Sequence, residues 1–131
     1  MEKISVNKNI EEFTTHFTED FSIERTENID RDKLAAFSIE AYKDEFNRAR
    51  FTVRDEILKL WKWKYDNNPA TGKTKNFGWT ATYKGKVLGQ LSIMPATIKV
   101  GKRYYPGAWG TDLAILKEYR NLGLSAFLIQ R

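Results

Sequence analysis

The run from Trp109 to Gln130 constrains this chain more than any other segment. An apolar stretch through Leu113, Ala114, Ile115 and Leu116 reads as a strand. Lys117, Glu118 and Tyr119 form a short charged turn, and Arg120-x-x-Gly123-x-Ser125 then leads into a helical apolar run from Ala126 to Gln130. A strand that feeds a small-residue turn opening a helix builds an anion site from backbone alone. The unpaired N–H groups of the first helical turn converge there, the helix dipole adds about half a positive charge, and small side chains let a phosphate come close. The pattern predicts a phosphate-bearing ligand held by residues 120–125. The plainer alternative is that Gly123 eases helix packing and Arg120 is a solvated residue at a helix start.

The elements upstream follow a definite order. Residues 1–19 form an amino-terminal extension of mixed signals: Ile10, Phe13 and Phe17 stand at helical spacing, whereas Thr14, Thr15 and Thr18 favour extended chain. Alternation at Phe21, Ile23 and Arg25 predicts a strand to Thr26. Asp30 is placed to cap a helix from Arg31 to about Phe46, with Leu34, Phe37, Ile39, Ala41 and Tyr42 on its apolar face. A second helix, Arg54 to Tyr65, stops at the turn cluster Asp66-Asn67-Asn68-Pro69. Residues 66–76 read as a polar loop. Its Gly72-Lys73-Thr74 lacks the earlier glycine of a phosphate-binding loop, since position 67 is Asn, and no helix signal follows. Strands are then expected from Phe77 to Tyr83 and from Lys86 to Met94, turning at Lys84-Gly85 and ending at Pro95. A further tight hairpin is expected at Ala96–Val100, Gly101-Lys102 and Arg103–Tyr105, then a last strand from Ala108 to Ile115 and a last helix from Tyr119 onward.

Bulk properties narrow the classes. The 131 residues suit one domain with a modest core, and 41% hydrophobic with 14% aromatic residues mark a globular chain. There is no cysteine, and His16 is the single histidine, so disulfides, thiolate or multi-histidine metal sites and cysteine nucleophiles are excluded within this sequence; no metal is expected. The opening residues lack the apolar core of a secretory signal, and no run approaches membrane-spanning length, which makes a cytoplasmic location the expectation. Residues 1–45 hold 6 basic and 12 acidic side chains, while residues 46–131 hold 16 and 5. The predicted phosphate turn thus lies in the basic section, whose field would attract a polyanionic ligand and would equally suit nucleic acid.

The residues Leu113, Ile115, Tyr119, Arg120, Gly123 and Leu124 resemble the acyl-CoA motif of the GNAT N-acetyltransferase superfamily, roughly apolar-x-apolar-x-Pro-x-Tyr-Arg-Gly-x-Gly-apolar-Gly/Ala. The chain departs from it at Lys117, where Pro is common, at Asn121, where Gly is common, and at Ser125, which replaces Gly or Ala. The order strand, helix, helix, strands, glycine turn, helix agrees with the amino-terminal part of that domain over about residues 20–131. The resemblance implies a mixed α/β (α+β) fold of GNAT type: a central, mostly antiparallel sheet flanked by helices, truncated after the motif helix. The family's later elements, which commonly supply a tyrosine that protonates the departing thiolate, would then lie beyond Arg131. An apolar strand edge left open by that ending would invite pairing with a second copy as a homodimer.

The resemblance further implies an acyl-CoA-dependent N-acyltransferase using acetyl-CoA or another acyl-CoA as co-substrate, with a small-molecule or peptide amine as acceptor. The backbone of Leu113, Ala114 and Ile115 would pair with the pantetheine arm. The N–H groups of Arg120, Asn121, Leu122, Gly123, Leu124 and Ser125 would hold the diphosphate, with the Arg120 guanidinium adding a charge-assisted contact. Asp112, the only carboxylate of the last strand, is the candidate catalytic base; a structural ion pair within the sheet is the alternative. Glu118 is expected to face solvent. Trp63, Tyr65 and Trp109 are candidate substrate-binding residues, and Tyr104 and Tyr105 stand near the same strand. Aromatics two apart on a helix fall on different faces, so of Trp61, Trp63 and Tyr65 at least one belongs to the core. Two other readings stay open: a basic nucleic-acid-binding module stacking bases on its aromatics, and a non-catalytic GNAT-like interaction domain.

Overall fold

The computed structural model describes residues 20–44, 53–72 and 77–130. The expected extension 1–19, Phe46, and Lys73 and Thr74 lie outside these residues. Four strands form one antiparallel sheet in the order β1-β2-β3-β4: β1 Phe21–Arg25, β2 Gly78–Tyr83, β3 Lys86–Val100 and β4 Arg103–Ile115. Helices α1 (Arg31–Tyr42) and α2 (Arg54–Trp61) fall between β1 and β2, and α3 (Leu124–Ile129) follows β4.

The first helix begins where its cap requires. The Asp30 carboxylate accepts from the backbone N–H of Asp32 (2.9 Å) and Lys33 (3.1 Å), satisfying two donors that a helix start leaves orphaned. Leu34, Ala35, Phe37, Ser38, Ala41 and Tyr42 then follow helical spacing and are buried. The second helix has no side-chain cap. Asp55 and Glu56 lie in its first turn and complement the dipole, and Ile57 and Trp61, four apart, face the core.

Four sequence expectations change. The first helix ends at Tyr42, with Lys43 and Asp44 in a turn, rather than at about Phe46. The second helix stays α-helical only to Trp61. Lys62–Asp66 is one π-helical turn, closed by Asn67 N–H donating to Lys62 O at 2.9 Å. The strands do not break at proline either: β3 runs through Pro95 to Val100, and β4 runs from Arg103 through Pro106 to Ile115. The β2 neighbour stops at Gly78, opposite Ser92, and the Ile93 N–H makes a last bond to Phe77 O at 3.1 Å, so beyond Ile93 the hairpin continues as a two-stranded ribbon. A strand with an open side has room for a residue that cannot donate to a neighbour. Finally, the last helix begins at Leu124 rather than Tyr119. Lys117–Tyr119 forms a 3-10 turn, and Arg120 to Gly123 are turn residues.

The core lies on both faces of the sheet. Phe37, Tyr42 and Trp61 approach Gln90 and Ala114 from the α1–α2 side. On the opposite face α3 packs so tightly over Gly89 that a Cβ there would meet Ile115 Cδ1 at 2.6 Å and Leu124 Cδ2 at 3.2 Å. Phe127 meets Phe21 edge-on across that layer. The sheet thus carries α1 and α2 on one side and α3 on the other.

Candidate acyl-transfer site

The carboxyl half of β4 is irregular where the chemistry was expected. Leu91 pairs with Leu113 and Ser92 with Thr111, so Asp112 is an extra residue on β4, a bulge with φ of 47°. Aspartate is among the few side chains that tolerate this left-handed conformation. Its Oδ2 accepts from the Lys64 ammonium, and the same ammonium donates to Thr111 Oγ1 at 2.6 Å. The Lys64 side chain is 6% exposed and that of Asp112 24%, so the pair sits at the boundary of the core rather than in free solvent. The Lys64 nitrogen also stands 5.0 Å from the Tyr65 ring centroid.

A polar network backs the pair. Tyr65 donates its hydroxyl to Ser92 Oγ at 2.8 Å, and Gln90 Nε2 donates to the same oxygen at 2.8 Å. The Thr111 hydroxyl donates to Ser92 O at 3.4 Å. Tyr65 is 3% exposed and its ring lies 4.4 Å from that of Phe77, so it forms the floor of the site. Trp63 points the other way, 65% exposed, beside a cavity of about 340 Å³ lined by Glu56, Lys59 and Leu60. Trp109, 62% exposed, lies on β4 two residues before Thr111, and Tyr104 and Tyr105 are exposed on the outer ribbon. Trp61, as one of the helix aromatics had to be, is core.

The glycine turn is held at both ends. Leu116 N–H donates to Leu88 O (2.9 Å), and Tyr119 N–H to Leu116 O (2.9 Å). The Arg120 guanidinium ties the turn down: Nε donates to Ile115 O at 2.9 Å and Nη2 to Ala41 O at 3.3 Å, joining the end of β4 to the end of α1. Arg120 thereby shapes the turn from its inner side. Asn121 (φ 65°) and Gly123 (φ 84°) both adopt the left-handed conformation, and no side chain caps the first turn of α3. Alternating left-handed positions present successive N–H groups toward one side, which suits an anion. Glu118 is exposed. A cavity of about 120 Å³ lined by Glu40, Lys43, Lys117 and Arg120 adjoins the turn. A larger one of about 460 Å³ opens between Lys33, Phe37, Lys84, Lys86 and Leu116.

The structure therefore brings Asp112, Leu113, Ala114 and Ile115 and the turn 120–125 onto one continuous stretch, with Tyr65 beneath and Trp109 beside it. Trp63 stands apart on the outer side of the π turn. Sequence reasoning missed Lys64, Thr111, Ser92 and Gln90. A signal for Lys64 was present: Ile57, Trp61, Lys64 and Tyr65 follow the i, i+4, i+7, i+8 spacing of one helical face, so the lysine lies in an apolar stripe.

Four antiparallel strands with helices on both faces, and a strand–turn–helix after them, make a fold of GNAT type. Among the solved structures with this fold, two illustrate the likeness. Saccharomyces cerevisiae N-myristoyltransferase with bound myristoyl-CoA superposes with a TM-score of 0.59 at 18% identity, over 86% of this chain and 26% of that one. An aminoglycoside acetyltransferase from an uncultured soil metagenomic sample gives 0.55 at 20% identity, over 87% of this chain and 68% of that one. The chain thus spans about a quarter of the myristoyltransferase's length. No protein-family model matches the sequence, and no curated protein matches it. The likeness is one of fold. No described helix is long and apolar enough to cross a membrane.

Proposed function

We propose that this chain carries the acyl-CoA-binding part of an N-acyltransferase, with acetyl-CoA or a related thioester as co-substrate and an amine as acceptor. The observation that carries the reading is the continuous path from the β4 bulge at Asp112 to the uncapped turn at Gly123, on a fold shared with two acyltransferases. β4 is the outer strand of the described sheet, so the backbone of Leu113, Ala114 and Ile115 has an open side for the amides of a pantetheine arm. Residues 120–125 offer N–H groups to the diphosphate, in a turn that Arg120 braces.

The thioester supplies the acyl group: the amine nitrogen bonds to the acyl carbon as the carbon–sulfur bond breaks, the ammonium gives up a proton, and the thiolate takes one. Asp112 is the group assigned to the ammonium, since Oδ2 is held by Lys64 and Oδ1 has no partner among the described residues. Trp109 is assigned to the acceptor's approach, and Tyr65 to holding Ser92 beneath it. The open side of β4 also supports pairing with a further strand or a second copy, which sedimentation of the chain would register as a dimer.

The test is a calorimetric titration of acetyl-CoA into the chain, with CoA and adenosine as companions. Saturable binding of both thioester and CoA, lost with adenosine, is the expected result. Binding of none of them, or equal binding of adenosine, overturns the assignment of residues 120–125. A polyanion that binds instead, and weakens steeply with salt, would favour the nucleic-acid reading.

A further inference from the structure

We infer that Lys64 is a positioning residue that clamps the β4 bulge and fixes Asp112 to receive an acceptor arriving as an ammonium; the acceptor class rests on the acyltransferase reading above. In a regular strand, consecutive side chains point to opposite faces. Thr111 and Asp112 are consecutive, yet both reach the same ammonium. This is geometrically open only because Asp112 takes the left-handed conformation that makes it the extra residue of the bulge. The ammonium therefore bonds to both sides of the irregularity at once and rewards the irregular backbone over the regular one.

Two features show that the lysine is placed for this role. A lysine is rarely so deeply buried, and an apolar side chain of similar volume at such a position is commonly as stabilising as an ion pair. The benefit of the charge lies in geometry. The π turn Lys62–Asp66 is the second feature. It carries Lys64 and Tyr65 side by side on its inner face, so that one binds Thr111 and Asp112 on β4 while the other binds Ser92 on β3. Since Thr111 pairs with Ser92, one helical turn grips both partners of the register pair adjoining the bulge. The clamp takes Asp112 Oδ2 and leaves Oδ1, which can accept from a protonated amine.

The experiment compares the chain with Lys64→Met, Lys64→Arg and the double variant Lys64→Met with Asp112→Asn. Amide hydrogen exchange is read at Thr111, Asp112 and Leu113, with Gly89 to Leu91 as the reference. Thiol release from acetyl-CoA is read with a set of primary amines. For Lys64→Met the expected result is exchange about tenfold faster at the bulge alone. Turnover should fall about a hundredfold, as misplacement of a reacting group by about 1 Å allows, with acetyl-CoA affinity held within about twofold. Lys64→Arg, which keeps the charge, should recover part of both. Unchanged exchange at residues 111–113 in Lys64→Met overturns the clamp whatever the turnover. Wild-type chain that transfers to no amine, with faster bulge exchange in Lys64→Met, overturns the acceptor assignment and upholds the clamp. If Lys64→Met does not fold, the double variant, which removes both charges, decides: fast bulge exchange supports the clamp and wild-type exchange overturns it.

Discussion

Gly78 is the position where the smallest change to this chain should do the most harm. It opens β2 opposite Ser92 with φ of 105°, and a Cβ built on it would lie 1.9 Å from the carbonyl oxygen of Leu91 and 3.1 Å from Ser92 Cα. The obstacle is backbone, so no rotamer change relieves it. To restore ordinary contact β2 must move away from β3 by more than about 1 Å, against a ladder spacing of about 4.8 Å. The φ alone costs a non-glycine residue about 1–3 kcal/mol, and forcing extra volume between packed strands costs about 1–3 more. Gly78→Ala should therefore lose about 4 kcal/mol of the roughly 5–15 available to a domain of ordinary stability. Gly85→Ala is the control. Gly85 also has positive φ, 75°, but nothing lies within 4 Å of its Cβ position, so only the conformational cost of about 1–2 kcal/mol applies. In urea, with a slope near 2 kcal/mol per molar, the Gly78→Ala midpoint should fall by about 2 M and that of Gly85→Ala by under about 1 M. Equal midpoints for the two variants would show that the Leu91 carbonyl exerts no such force, and the reasoning would fail.

Gly123→Asp should abolish acetyl-CoA binding while the chain stays folded, because it sets negative charge and bulk at the turn; its left-handed φ of 84° adds about 1 kcal/mol of strain that aspartate tolerates better than most residues. Calorimetry beside a urea melt checks both halves, and unchanged affinity removes the diphosphate assignment. Tyr65→Phe should lower stability by about 1 kcal/mol, since Ser92 Oγ keeps the Gln90 donor at 2.8 Å when the phenol is lost; a thermal melt reads it. The Glu40 carboxyl titrates below its ordinary value, first because Lys43 donates a hydrogen bond to it and then through that lysine's charge. Its stabilising contribution is thus present above the unfolded-state value and fades as pH falls through the folded one. Carboxyl NMR should show the Glu40 value moving back up as salt screens the pair, and Lys43→Met should remove most of that movement, leaving the weaker pull of Lys86.

The order of elements was legible because local chemistry dictated it. Asp30 sits where a helix needs an oxygen, Lys84-Gly85 where a hairpin needs positive φ, and both positions do that in the structure. The ends of elements were less legible because tertiary surroundings decide them. Pro95 read as a stop, yet it lies in a ribbon with no third strand to serve, a fact set by where β2 begins, at Gly78, seventeen residues earlier. Tyr119 read as helix because its neighbours are good helix formers, whereas the Arg120 side chain ties the turn to Ile115 and Ala41. The bulge was hidden altogether. Asp112 looked like an ordinary strand carboxylate, and only Lys64, 48 residues earlier, explains why it does not follow the pleat.

The extra residue at Asp112 also makes β4 a strand with two phases. Ahead of it Thr111, opposite Ser92 and bonded to Lys64, lies on the α1–α2 side; behind it that side belongs to Ala114, opposite Gln90, while Ile115 turns to α3. A single inserted unit shifts the reading frame of the strand in space, and the ribbon aromatics and the core contacts are each written in their own frame. Loss of that unit would act as a frameshift does in a gene. Ala114 and Ile115, now buried on opposite faces, would each be turned to the layer that the other fits. Changes of length between residues 105 and 115 should accordingly be tolerated far less well than any change of letter there.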